Sequence, residues 1–330
     1  MDRRCEMDLD GTDVLVTGGN GFIGSHLVRR LIAEGAKVTV ILQTKDTGNL
    51  EGVEDRIRTK VADLTNAAKI SKIVQKVNPQ KVFHLAAYVS VDRTFENISK
   101  IIQSNIMGTM NLLQALDKSD YDCFINTGTC EEYGDNMAPF KEDQQMNPVS
   151  PYSASKASTT LFCRMYNKVL SCPIVTLRPF LTYGPYQKNS MLIPNTIINA
   201  LHGKEIHTTP GEQTREFNYV EDIADGFIKA SLSKKAIGEI INIGNGKEYK
   251  IKDVVQRILA IMGNPVKLHI GALPYREGEA MHFYCDNRKA RKLLGWAPKT
   301  GLDEGLRKTI EWYESKLKKK ELHRWMIKKI

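Results

Sequence analysis

No other segment constrains this chain as much as Thr17-Gly-Gly-Asn-Gly-Phe-Ile-Gly24. It follows a short apolar run, Val14–Thr17, and leads into Ser25–Glu34, where Leu27, Leu31 and Ile32 recur at helical spacing. Glycines at this spacing between a strand and a helix permit a tight turn. They also let the backbone approach a pyrophosphate and let the helix pack closely on the strand. The free N–H groups and dipole of the helix N-terminus then favour an anion. An ordinary strand-to-helix turn also carries glycine, but three in register favour a dinucleotide site. Gly18, Gly21, Phe22, Ile23 and Gly24 are its candidate residues.

Downstream, short β-branched runs alternate with helical patterns. Lys37–Leu42, Ile57–Ala62, Val82–Leu85, Cys123–Thr127, Ile174–Leu177 and Ile240–Ile243 read as strands. A helix carrying Val74 and Val77 stops at Asn78-Pro79, and a long one surrounds Ile101–Leu116. This alternation predicts an α/β fold, a doubly wound, mostly parallel Rossmann-type sheet. Frequent Pro and Gly from about residue 180 suit a smaller, loop-rich C-terminal substrate lobe. The expected division is a dinucleotide-binding domain over 11–178, with 214–245 returning to it. A second lobe takes 179–213 and 246–314, and a basic tail takes 315–330.

Charge excludes some functions. The formal net charge is +9, but residues 316–330 (KLKKKELHRWMIKKI) contribute +6 of it. A nearly balanced body does not offer the broad basic face of a nucleic-acid-binding protein. Leu322, Met326 and Ile330, flanked by Trp325, would line one face of a terminal helix. Such a helix either docks on the protein, frays, or makes weak contact with an anionic membrane surface through 316–330. No run is apolar and long enough to span a membrane, and the acidic N-terminus does not read as a secretory signal. The six cysteines lack CxxC or metal-ligand spacing, so free thiols, no metal and a cytoplasmic location are expected.

The end of the second strand reads Gln43-Thr44-Lys45, without the acid that usually meets the ribose hydroxyls of NAD. Lys45 is therefore either a surface residue or a partner for a 2′-phosphate, which favours NADP slightly over NAD. Asp63 and Leu64, after the third strand, are placed either to meet the adenine or to cap the following helix.

Tyr152-Ser-Ala-Ser-Lys156 carries the chemistry. Tyr and Lys four apart share a helix face, and a lysine charge beside a phenol lowers its pKa. A phenolate so placed can take the proton of a sugar hydroxyl while hydride leaves the carbon. Thr129, after the strand Cys123–Thr127, is positioned to hydrogen-bond the same oxygen. In extended chain Thr129 and Glu131 share a face and Cys130 points away, unless the loop turns it inward. Glu131 is then a second base or a solvated loop carboxylate.

Together these motifs resemble the extended short-chain dehydrogenases/reductases of the NAD-dependent epimerase/dehydratase family, which act on nucleotide-diphosphate sugars. The resemblance runs from about Asp13 to Tyr313 through TGGNGFIG (17–24), HLAA (84–87), Asn105 in SNIMGT, YSASK (152–156), YGPYQ (183–187), TREFNYVEDIADG (214–226), YREGE (275–279) and DNRKARKLLGW (286–296). It implies a cofactor bound also by Leu85, Ala86, Ala87 and Asn105, and a homodimer formed through two helices of each subunit. For the sugar nucleotide it implies contacts from Ser90, Arg93, Gln187, Arg215 and Arg276. HLAAYVSVDRTF is similar to the dTDP-glucose 4,6-dehydratases, in which Glu131 would take the C5 proton of a 4-keto sugar. Cys130 stands where those enzymes have an acidic Asp, and Leu181 where many relatives have Asn. Nucleotide-sugar 4-epimerases, NADPH-dependent 4-keto-6-deoxy-sugar reductases and UDP-glucuronate decarboxylases fit parts of the pattern. A cofactor-binding scaffold without catalysis is the reading from another class.

Overall fold

The computed structural model describes residues 9–90, 96–276 and 278–327, with side chains described through residue 318. Seven strands form one parallel sheet: β1 (Asp13–Thr17), β2 (Lys37–Leu42), β3 (Arg58–Val61), β4 (Lys81–His84), β5 (Cys123–Thr127), β6 (Ile174–Pro179) and β7 (Ile240–Ile243). Their order is β3-β2-β1-β4-β5-β6-β7. The chain reverses its direction of travel between β1 and β4, which opens a crevice at the carboxyl ends of those strands. The Rossmann-type expectation is met, and each strand read from the sequence overlaps one of these seven.

Except at the exposed edge strand β3, both faces of the sheet are buried, which is why the other strands read as near-continuous apolar runs. Val14, Val16, Val38, Val40, Phe83 and Ile125 face one core, with α1 (Phe22–Ala33). Leu15, Ile41, Val82 and Phe124 face the other, against α2 (Ala67–Val77). The alternation follows from the two-residue period of a strand. Asn66 caps α2 by accepting from the backbone N–H of Lys69, and Asn78 ends it in a left-handed conformation.

The long helix expected around Ile101–Leu116 is divided. A turn α3 (Ile98–Ile101) passes through a π-helical stretch, Ile102–Met107, into α4 (Gly108–Leu116). α5 (Pro151–Leu170) then crosses the same side of the sheet. α6 (Leu192–Leu201), α7 (Val220–Leu232), α8 (Ile251–Ile261), α9 (Arg288–Leu294) and α10 (Leu302–Ile327) complete the fold. The peripheral lobe packs Ile193, Ile197, Phe217, Val254, Ile258, Leu306 and Ile310 into its own core.

Two boundaries differ from the sequence reading. Residues 286–300 do not stay in the peripheral lobe: Trp296, 1% exposed, lies in the core beside α7 and β7 and donates its indole N–H to the Asp222 carbonyl at 2.9 Å. Burying that indole outweighs the continuity of the chain. Nor does a separate tail begin at 315, because α10 runs unbroken to Ile327; its Lys, Leu and Glu residues are good helix formers. The side chains of Leu322, Trp325, Met326 and Ile330 lie outside the described residues. No described helix is long and apolar enough to cross a membrane. The described cysteines, Cys123, Cys130, Cys163, Cys172 and Cys285, are free.

Candidate active site

The glycine loop closes the crevice end of β1. Gly18 has φ +69°, and a Cβ there would lie 2.6 Å from the backbone nitrogen of Ala86. A Cβ on Gly24 would lie 2.1 Å from the Gly18 carbonyl oxygen. These two glycines thus let the loop, α1 and the segment after β4 meet. Gly21 begins α1 without a side-chain cap, and no acid occupies the first turn. The uncapped N–H groups at Phe22 and Ile23 fit the pyrophosphate of a dinucleotide.

His84 anchors the Leu85–Ala87 segment beneath this loop. The Thr109 hydroxyl donates to the Asn105 carbonyl (2.5 Å), so it accepts from Nε2 of His84 (2.8 Å). Nδ1 then accepts from Thr17 Oγ1 (2.7 Å). Burial, followed by the charge of Lys156, lowers this imidazole to about 3, so it stays neutral. Asn105 engages both ends of its amide within the protein. It accepts from the Tyr88 backbone N–H (2.7 Å) and donates to the Tyr88 carbonyl (3.1 Å) and Ser155 Oγ (2.9 Å). Its amide thereby ties the loop after β4 to α5.

At the second strand the sequence reading overlooked Gln43. Its amide donates to Asp63 Oδ2 (3.1 Å). Asp63 also accepts from the N–H and hydroxyl of Thr65, which lower its pKa, while the cap of α2 belongs to Asn66. Lys45 is exposed beyond them, and the Leu64 carbonyl accepts from Asn111 (2.8 Å).

β5 and α5 assemble the chemistry. Ser150 caps α5, Pro151 occupies its first turn, and the Ser150–Ser153 capping box fixes where the helix begins. Tyr152 and Lys156 follow on successive turns. Lys156 is 3% exposed and donates to the Thr127 carbonyl at the end of β5 (2.8 Å); burial lowers it to about 8. Thr129 lies near enough to the Tyr152 phenol to favour its ionised form. Burial, then Glu131 and Cys130, nonetheless hold that phenol above its ordinary value. The lowering expected from Lys156 is therefore outweighed, because desolvation disfavours the phenolate more strongly.

After Thr129 the chain turns at once into a 3₁₀ helix, Cys130–Tyr133, so strand alternation does not apply. Glu131 is exposed, close enough to raise the Tyr152 phenol electrostatically. Cys130 is 8% exposed and packs with Tyr133, Phe140, Phe180 and Cys285. Burial and the neighbouring Glu131 and Glu216 push its thiol well above 9.0. The sequence reading also passed over Glu132, which is wholly buried and accepts from the Thr129 N–H, Thr160 Oγ1 and Arg178.

The expected substrate residues meet different partners, and Arg215 lies within electrostatic reach of Cys130. Arg215 pairs with Glu279 and donates to the Ala280 carbonyl (2.8 Å), holding residues 279 and 280 against its strand. Arg276 is exposed, and Ser90 is half-buried. Gln187 is buried, donating to the Thr182 carbonyl (2.7 Å), while its own carbonyl accepts from Tyr313 (2.9 Å). Leu181 packs against the peripheral core, and its carbonyl accepts from Asn218 (2.9 Å). Arg93 lies outside the described residues.

Residues 15–309 match the protein family described as GDP-mannose 4,6 dehydratase. The dTDP-glucose 4,6-dehydratase of Salmonella typhimurium is 35% identical over 334 residues, covering 91% of this chain and 92% of that protein. A solved UDP-glucose 4-epimerase from Thermotoga maritima, with UDP-glucose, superposes with a TM-score of 0.85 at 30% identity, over 92% of this chain and 99% of that one. The dTDP-glucose 4,6-dehydratase of Bacillus anthracis, solved with NAD, gives 0.81 at 27% identity, over 92% and 97%.

Proposed function

The chain belongs to the nucleotide-sugar epimerases and dehydratases among the extended short-chain dehydrogenases/reductases, and we propose from that membership that it oxidises C4 of a nucleotide-diphosphate sugar and then eliminates water across C5 and C6. The observation that carries the proposal is the meeting of Thr129, Tyr152 and Lys156 where β5 ends, with Glu131 within electrostatic reach of the Tyr152 phenol. A bound nicotinamide dinucleotide supplies the hydride acceptor and later returns the hydride. Tyr152 takes the proton from O4, Thr129 orients that oxygen, and Lys156 stabilises the charged tyrosine.

Once C4 is a carbonyl, the C5 proton is acidic and Glu131 removes it. The acid that results at Glu131 then protonates the departing O6, which leaves as water, so one carboxyl serves both proton steps; the hydride held by the dinucleotide would return to C6, and a solvent proton would be delivered to C5. This route is supported by the character of Cys130, whose buried thiol is a poor acid. The same thiol favours a second reading, simple 4-epimerisation, as in the Thermotoga relative's printed activity.

For the cofactor the reading is NAD. The slight preference for NADP drawn from Lys45 finds no support in the Bacillus relative, which was solved with NAD. The uncharged Gln43 at the end of β2 leaves ribose hydroxyls as its natural partners. A homodimer is supported by the exposed apolar side chains Leu161, Phe162, Met165 and Val169 along α5. Beside them lies a groove of about 550 Å³ lined by Ile98, Ile102, Ile106 and Val149.

The deciding experiment incubates the protein with NAD and a panel of nucleotide-diphosphate sugars in D₂O, reading products by mass spectrometry and NMR. Dehydration yields a product lighter by one water and labelled at C5. An unlabelled isomer establishes epimerisation, and turnover only with NADP overturns the cofactor reading.

A further inference from the structure

Outside the central sheet, a two-stranded parallel ribbon pairs Ile206–His207 with Leu268–His269. Ile206 points inward, joining Ala200, Val255 and Leu259 in a small core, with Leu268 packed against them. The strand period then turns His207 outward, and the register sets it directly opposite His269. The two imidazoles lie face to face, with centroids 4.7 Å apart and planes 10° from parallel. Glu205 completes the group, with Oε2 3.0 Å from Nε2 of His269.

We propose that Glu205, His207 and His269 form a binding site for a zinc-class divalent cation, lying outside the active site. One ligand atom from each residue lies within 4.8 Å of the other two. Tetrahedral zinc, with ligand bonds of about 2.0–2.1 Å, needs ligand atoms about 3.3–3.5 Å apart. Closing the site therefore takes shifts of about 1 Å, available to these solvent-accessible side chains by rotation about their χ angles. The imidazoles must tilt out of their stack to share one metal, while the ribbon's hydrogen bonds hold the backbone: Ile206 N to Lys267 O (2.9 Å) and Thr208 N to His269 O (3.0 Å).

Two imidazoles and one carboxylate select zinc over magnesium, which prefers an all-oxygen shell. The fourth position is left to water. The ribbon continues into the loop that carries Arg276 and Glu279, through Gly271 N to Thr209 O (3.2 Å) and Leu273 N to Thr208 O (3.1 Å). A bound cation would clamp the base of that loop.

The test uses the full chain, treated with chelator, and zinc chloride as the probe in isothermal titration and thermal melts. One zinc per chain with micromolar affinity and a raised Tm is expected. His207→Ala and His269→Ala should each weaken binding by about 10–100-fold, with unchanged far-UV circular dichroism. Cobalt bound in its place should show the visible bands of a tetrahedral nitrogen–oxygen site, absent from the double variant. Failure of the wild type to take up zinc saturably, or equal uptake by the His207→Ala/His269→Ala protein, overturns the proposal.

Discussion

Glu132 and Arg178 form an ion pair at 2.8 Å in which neither side chain is more than 1% exposed. The same carboxyl accepts from Thr129 N–H at 2.9 Å and from Thr160 at 3.1 Å, so it joins β5, β6, α5 and the 3₁₀ turn that carries Thr129 and Glu131. The guanidinium also lies over the Tyr133 ring, 4.5 Å from its centroid. Removing one partner of such a pair leaves an uncompensated buried charge, whereas removing both is often nearly neutral. Glu132→Ala should therefore cost about 3–5 kcal/mol in urea unfolding. Glu132→Ala combined with Arg178→Met should cost less than the sum of the two single changes. An additive double-mutant cycle would show that the pair is not coupled.

Tyr152→Phe removes only the phenolic oxygen from a helix turn already fixed by the Ser150 cap. Turnover should fall by about 10²–10⁴-fold, while dinucleotide binding, measured by fluorescence titration, stays within a few-fold of wild type. Wild-type turnover in this variant would remove Tyr152 from the chemistry.

Glu216 sits buried beside Cys285 and accepts from Gly246 N–H (2.8 Å), and its burial lifts the carboxyl to about 8. The folded protein thus keeps a proton that the unfolded chain releases near its ordinary value of 4.5. Stability from this group is fully present below the unfolded value and falls as pH rises toward about 8. Melting at about pH 5 and about pH 8 should show a Tm decline in the wild type that Glu216→Gln reduces. Identical pH slopes in the two proteins would contradict a protonated Glu216.

Met165 and Phe162 are 40% and 41% exposed on α5, in an apolar row that a monomer rarely leaves in water. Sedimentation velocity should give a dimer for the wild type and a monomer for Met165→Glu, with little change in Tm beyond that due to dissociation. A wild-type monomer at micromolar concentration would refute the dimer reading.

Much of this molecule is readable before folding, for local reasons. Apart from the polar edge strand β3, the sheet strands are short, largely apolar and bounded by turn residues, so their apolar runs and the flanking Gly and Pro mark them. The helix stop at Asn78 and the serine cap of α5 are decided by neighbours within four residues. The division of the helix near Ile102–Met107 carries no such local mark, because its π-helical stretch places Asn105 against Tyr88 and Ser155, both far along the chain.

The adjacent Glu131 and Glu132 define the limit of the sequence reading. Strand alternation drew attention to Glu131 and said nothing of Glu132, whose partner Arg178 is 46 residues away. Gly128 belongs to the same arrangement: a Cβ there would lie 2.4 Å from the Glu132 carboxyl. The sequence alone determined the sheet, the glycine loop and the spacing of Tyr152 and Lys156, since each depends on backbone geometry and residues close along the chain. Only the tertiary structure decided which carboxylate is buried and which is exposed, that Arg215 meets Glu279, and that His207 stands opposite His269. Desolvation and pairing are set by distant segments that meet only when the chain has folded.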